Sequence, residues 1–133
     1  MADAIVLGSS AMLAMLYGEN GSAAVIDALA DPEIQVMASS VNLSEVVTKL
    51  VLGGADATQV ATNLRPFLHC AVPFDLEQAV QAGQLARITH PFGLSLGDRA
   101  CLALAANRDA TAWTTDAEWK KLKVGVKVRL LRG

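Results

Sequence analysis

Short apolar segments alternate with capped helical segments along the whole of this 133-residue chain. That alternation limits the folds open to it. Ile5–Leu7, Ile34–Ala38, Cys70–Val72, Ala110–Thr114 and Val126–Leu131 each have the length and side-chain type of a buried strand. Between them lie helix signals. Ser9 or Ser10 can cap Ala11–Tyr17, and Ser22–Ala30 ends at Asp31-Pro32. Ser40 or Asn42 can cap a helix that Gly53-Gly54 stops, and Asp56 opens another running towards Pro66. Asp75 caps Leu76 to about Ile88, His90–Gly93 reads as a loop, and Leu96–Asn107 is helical. Strands separated by helices predict a parallel sheet covered on both faces. The expected fold is therefore α/β, a three-layer α/β/α sandwich around a mostly parallel sheet of about five strands. With no linker, repeat or low-complexity stretch, residues 1–133 read as one domain.

In such sheets ligands gather at the carboxyl ends of the strands. Gly8 follows the first strand, and Asp116 follows the fourth. Glu45 and Asp98 fall in the first turns of helices entering from that same edge. Each acid has a plain structural reading. Asp98 suits the positive end of a helix dipole. Glu45, three residues after Asn42, fits a capping box, and Asp116 fits the cap of the following turn. Together they suit a hard cation, Mg²⁺ or Mn²⁺, because carboxylates without His or Cys select such ions over zinc. Such a site serves phosphodiester hydrolysis. A phospho-acceptor domain would need an acid at a strand end; the first strand ends in Gly8, and Asp75 reads as a helix cap.

The net charge of −2 conceals an asymmetry. No acid follows Glu118, while Lys120, Lys121, Lys123, Lys127, Arg129 and Arg132 crowd the C-terminal end. These cations suit either a solvated edge strand or a phosphate-contacting flank. Cys70 and Cys101 lack metal-ligand spacing and read as small buried hydrophobes. No apolar run reaches the ~18–20 residues of a membrane span, and Asp3 spoils a signal-peptide reading. A cytoplasmic protein with no membrane association is expected. The 53% hydrophobic content points to surfaces that pair with another chain. Met12, Leu13, Met15, Leu16 and Tyr17 suit either core packing or a partner groove.

The blocks Ile5–Ala11, Asn42–Val46, Val72–Asp75, Leu94–Ala100 and Thr114–Trp119 together resemble the PIN domain, specifically the VapC toxins of type II toxin–antitoxin pairs. The resemblance implies a Mg²⁺- or Mn²⁺-dependent endoribonuclease that cuts RNA, with tRNA or rRNA as target, and so stops translation. It further implies a homodimer, a VapB-like antitoxin that blocks the site, and contact with operator DNA only through that antitoxin. By motif, Glu45, Asp98 and Asp116 inherit the catalytic and metal-binding roles. Ser9 and Thr114 would support them by hydrogen bonding. Arg99 would either touch phosphate or serve as a packed or paired cation. The family pattern places an Asp where this chain has Gly8, and glycine cannot ligate a metal. Loss of that ligand predicts an inactivated or impaired enzyme, and leaves open a non-catalytic module that acts by binding its antitoxin.

Overall fold

The computed structural model describes residues 3–131. The strands are β1 (Asp3–Leu7), β2 (Ile34–Ser39), β3 (Ala71–Val72), β4 (Thr111–Thr114) and β5 (Val128–Leu130). They form one sheet in the order β3-β2-β1-β4-β5. All four pairings are parallel. β1 starts two residues earlier than its apolar run, because Asp3 and Ala4 continue the ladder opposite Ile34 and Gln35. β5 is shorter than expected and pairs only over Val128–Leu130.

The helices are α1 (Ser9–Leu16), α2 (Ser22–Ala30), α3 (Ser40–Leu52), α4 (Ala57–Leu64), α5 (Leu76–Gln84), α6 (Ala86–Thr89) and α7 (Leu96–Arg108). Short 3₁₀ turns occupy Arg65–Phe67, His90–Phe92 and Ala117–Lys121. The single helix expected over Leu76–Ile88 is two, interrupted at Leu85. At that break the Arg99 guanidinium donates to the Ala82 carbonyl at 3.0 Å, an acceptor that a continuous helix would keep for its own ladder.

Strand alternation sends side chains to two apolar layers. Ile5, Leu7, Ala38 and Trp113 pack with Met12, Val25, Val46 and Phe67 on the face covered by α1, α2 and α3. Val6, Met37 and Ala112 pack with Cys101, Leu102, Leu104 and Trp119 on the face of α7. The result is the α/β/α sandwich. Met12 is buried, and Leu13, Met15 and Leu16 pack against the first layer, so α1 serves the core; only Tyr17 is half exposed. Cys70 and Cys101 are both buried and free. Among the described residues no helix is long and apolar enough to cross a membrane.

Much of the C-terminal basic flank is engaged within the domain. Lys120 Nζ donates to the Val128 carbonyl at 2.9 Å, Lys121 pairs with Glu118, and Arg129 lies over the Trp113 ring. The Lys120 bond covers part of an open sheet edge, a common protection against unwanted strand pairing. Arg132 lies outside the described residues.

Candidate functional site

Four elements deliver side chains to the carboxyl edge of the sheet. β1 runs into Gly8, which is the N-cap of α1 in extended backbone, φ −71° and ψ 167°, with no side-chain cap. The expectation that Ser9 or Ser10 caps this helix is therefore corrected. Both serines lie in its first turn, and their hydroxyls are free to reach across the sheet edge. Ser9 Oγ donates to Glu45 Oε1. Ser10 Oγ accepts the Thr115 backbone N–H at 3.0 Å and lies 3.3 Å from Thr114 Oγ1.

The cap of α3 is corrected as well. Ser39, at the end of β2, accepts from Val41 N–H at 3.2 Å, so neither Ser40 nor Asn42 holds that post. Asn42 is instead a buried side chain inside the helix. Its Nδ2 lies 3.1 Å from Glu45 Oε1, 3.1 Å from Ser9 Oγ and 2.9 Å from the Gly97 carbonyl. The capping-box reading of Glu45 fails for the same reason: Asn42 is not the cap. Its Oδ1 is buried and has no partner among the described residues. Leaving such an acceptor unpaired costs about 1–3 kcal/mol.

α7 opens with a capping box. Ser95 Oγ accepts from Asp98 N–H at 3.2 Å, and Asp98 Oδ2 accepts from Ser95 N–H at 2.9 Å. Asp98 thus has its structural role and also faces the other acids. Burial raises its carboxyl above the usual value; the Ser95 hydrogen bonds pull it down, and the charges of Glu45 and Asp116 push it up again. Cys101, one turn further along, lies under the same group. Burial raises its thiol first, and the charges of Asp98 and Glu45 raise it further.

Asp116 caps the 3₁₀ turn that follows β4, its Oδ1 accepting from Glu118 N–H at 3.0 Å. Buried Thr114 accepts the Asp116 backbone N–H at 3.0 Å and so fixes the exit of the chain from β4. Arg99 is turned away. Its guanidinium is committed to the Ala82 carbonyl, and its side chain packs towards α5.

Two glycines shape the site. At Gly97 a Cβ would collide with the Glu45 carboxylate. At Gly8 a Cβ would sit 3.2 Å from the Trp113 carbonyl, 3.7 Å from Cys101 Sγ and 3.7 Å from Trp119 Cη2. The backbone there suits any residue, and only the Trp113 contact is tight. A side chain at position 8 would emerge beside Cys101, where the fields of Asp98 and Glu45 are felt.

Glu45, Asp98 and Asp116 by themselves are an incomplete donor set for a divalent ion. Mg²⁺ demands near-ideal octahedral oxygen coordination. Here one oxygen each of Glu45, Asp98 and Asp116 is engaged within the protein. Among the described residues no group of three His, Cys, Asp or Glu side chains could hold a metal.

Sequence reasoning missed Asn42 as part of the site, together with Ser10 and Gly97. The pair Asn42…Glu45 at a spacing of three was visible but suggested a cap. The Gly97-Asp98 dipeptide was visible without its reason, which is clearance for a carboxylate from another helix.

The profile of the PIN domain family matches residues 5–125. No match was found among curated proteins. Solved structures share the fold at low identity. The VapBC2 complex of Rickettsia felis, bound to a fragment of its promoter DNA, aligns with TM-score 0.73 and 19% identity over 96% of this chain and 98% of that one. The sarcin–ricin-loop-cleaving toxin VapC20 of Mycobacterium tuberculosis aligns with TM-score 0.72 and 18% identity, covering 97% of this chain and 99% of that one. VapBC-5 of the same organism gives 0.62 and 23% identity, with 98% of each chain covered.

Proposed function

The chain belongs to the PIN domain family, and from that premise we propose that it is a VapC-like endoribonuclease toxin whose cleavage site is incomplete at Gly8. The observation that carries this reading is the gathering of Glu45, Asp98 and Asp116 at one sheet edge, with the Cβ direction of Gly8 pointing into the same surroundings. In this family such acids serve Mg²⁺- or Mn²⁺-assisted phosphodiester hydrolysis. With glycine at position 8 no step of that reaction is assigned to the chain.

The substrate class is RNA, with tRNA or rRNA as the target. Lys123 offers exposed positive charge for the phosphate backbone, whereas Lys127 lies at the opposite, amino end of the sheet. The partner is a VapB-like antitoxin, and operator DNA is reached through it, in keeping with the complexes whose fold this chain shares. A homodimer and a cytoplasmic location complete the reading. A second reading is favoured by the incomplete donor set itself: a non-catalytic PIN module that acts only by binding its antitoxin and their operator.

A paired cleavage assay on total cellular RNA separates the two. The chain and its Gly8→Asp form are compared with Mg²⁺, with Mn²⁺ and with EDTA. Loss of a central ligand typically removes several kcal/mol of transition-state stabilisation, so the Asp form should cut about a thousandfold faster. EDTA should abolish the difference. If both forms are folded and neither cuts, the nuclease reading fails and the binding module stands.

A further inference from the structure

We propose that Asn42 is a positioning residue: its side-chain amide, together with the bare Cα of Gly97, holds the Glu45 carboxylate against the first turn of α7, beside Asp98. This rests on the reading of the acids as a cleavage site, and it names what sets the place of one of them.

Among the described residues no cation pairs with Glu45. The one ion pair among the described residues is Lys121 with Glu118, and Arg99, the cation next to Asp98 in sequence, is committed to Ala82. The Glu45 carboxylate is instead held by neutral donors, Ser9 Oγ and Asn42 Nδ2, both on Oε1. Asn42 also grips the Gly97 carbonyl at 2.9 Å. One 1%-exposed amide thus ties α1, α3 and α7 together at the point where the acids meet. Only its donor half is used; Oδ1 is sealed in without a partner among the described residues. A residue selected for packing would have no need of an amide here, since an apolar side chain of similar size fills the space and removes the orphan acceptor.

Gly97 completes the argument from the opposite side. It lies inside a helix, outside the left-handed region, so its backbone does not require glycine. In a helix alanine is the better residue. What Gly97 provides is the missing Cβ, because any Cβ would occupy the space of the Glu45 carboxylate.

The test has a structural arm and a kinetic arm. Crystal structures of the chain, of Asn42→Leu and of Gly97→Ala report the position of Glu45. Both variants should shift its carboxylate by about 1 Å or more, a displacement of the size that costs ~100-fold in rate. A carboxylate that stays in place in Asn42→Leu would overturn the proposal, whatever Gly97→Ala does, because a Cβ at position 97 displaces it by contact alone. This arm does not depend on nuclease activity, so it decides the matter even if Gly8→Asp cuts no RNA. Asn42→Asp, which keeps the size and shape of the side chain but removes its N–H donors, keeps the test valid should Asn42→Leu fail to fold, and should shift the carboxylate likewise. In the Gly8→Asp background, each variant should lower kcat ~100-fold and leave KM within about twofold. Combined with Glu45→Gln, Asn42→Leu should add no further loss, because it acts through that carboxylate. An undiminished loss in the Glu45→Gln background would show that Asn42 acts on the fold at large and would refute positioning.

Discussion

Two helices of this domain open with the same device, and only one of the two openings belongs to the proposed site. α4 begins with the Asp56–Gln59 capping box and α7 with the Ser95–Asp98 box, with matching reciprocal hydrogen bonds of 2.8–2.9 Å and 2.9–3.2 Å. Locally they are equivalent, since each satisfies two backbone N–H groups that a helix start leaves unpaired. Their surroundings differ. α4 buries none of its residues fully, whereas α7 buries Gly97 and every residue from Ala100 to Ala105. α7 therefore starts where three other elements end, and Asp98 faces Glu45 and Asp116 as well as its own helix. A capping acid becomes a candidate ligand through what the fold brings to it.

The largest expected effect tests that contrast in the Gly8→Asp background. Asp98→Asn keeps an acceptor for the Ser95 N–H and so keeps the box, but it removes the charge. RNA cleavage should fall about a thousandfold, on the scale of losing a group that acts in the transition state. Asp56→Asn, the same change in the other box, should leave the rate alone. Equal losses from the two changes would mean that both boxes matter only as caps.

This contrast also shows how far sequence could go. The parallel sheet, the helix layers and the acids at the carboxyl edge follow from strand and helix alternation, because each of those signals is local and repeated. Asp56 and Asp75 were legible as caps, and both cap through their side chains. The caps of α1 and α3 were not. Around α3 three cap-forming residues, Ser39, Ser40 and Asn42, stand within four positions, and local pattern does not choose among them. The choice falls to Ser39 because β2 extends as far as that residue, leaving Asn42 inside the helix and facing α7. The break at Leu85 was equally hidden, since Arg99, whose guanidinium takes the Ala82 carbonyl there, comes from another helix. What stayed illegible is long-range: Ser9 to Glu45, Asn42 to Gly97, Ser10 to Thr115.

The intermediate effect runs the other way and belongs to α4. Asp56→Ala removes the cap acceptor from an exposed helix start and should cost about 1 kcal/mol. For a domain of this size the melting temperature should drop by about 3–5 °C. RNA cleavage by the Gly8→Asp form should not change at temperatures well below the melt. Asp98→Asn should show the reverse pattern, keeping the melt and losing the rate. A cleavage defect in folded Asp56→Ala would place α4 in the site and dissolve the comparison.

The smallest effect is electrostatic and concerns the box at α7 alone. The Asp98 carboxyl is raised in the fold, chiefly by burial. A raised acid binds its proton more tightly in the native state than in the unfolded one, so stability falls as pH rises from the ordinary carboxylate value of 3.8 through the raised folded value. Asn at this position does not titrate. The melting temperature of Asp98→Asn minus that of the parent should therefore widen as pH rises above the ordinary carboxylate range. The helix dipole favours the charged form at this first-turn position, and solvent screens a half-buried group, so the widening should be no more than about 2 °C. Metal-free melts at several pH values in EDTA measure it. A gap that narrows with rising pH would mean that the Ser95 hydrogen bonds and the helix dipole outweigh burial, making Asp98 a cap acid of the same kind as Asp56.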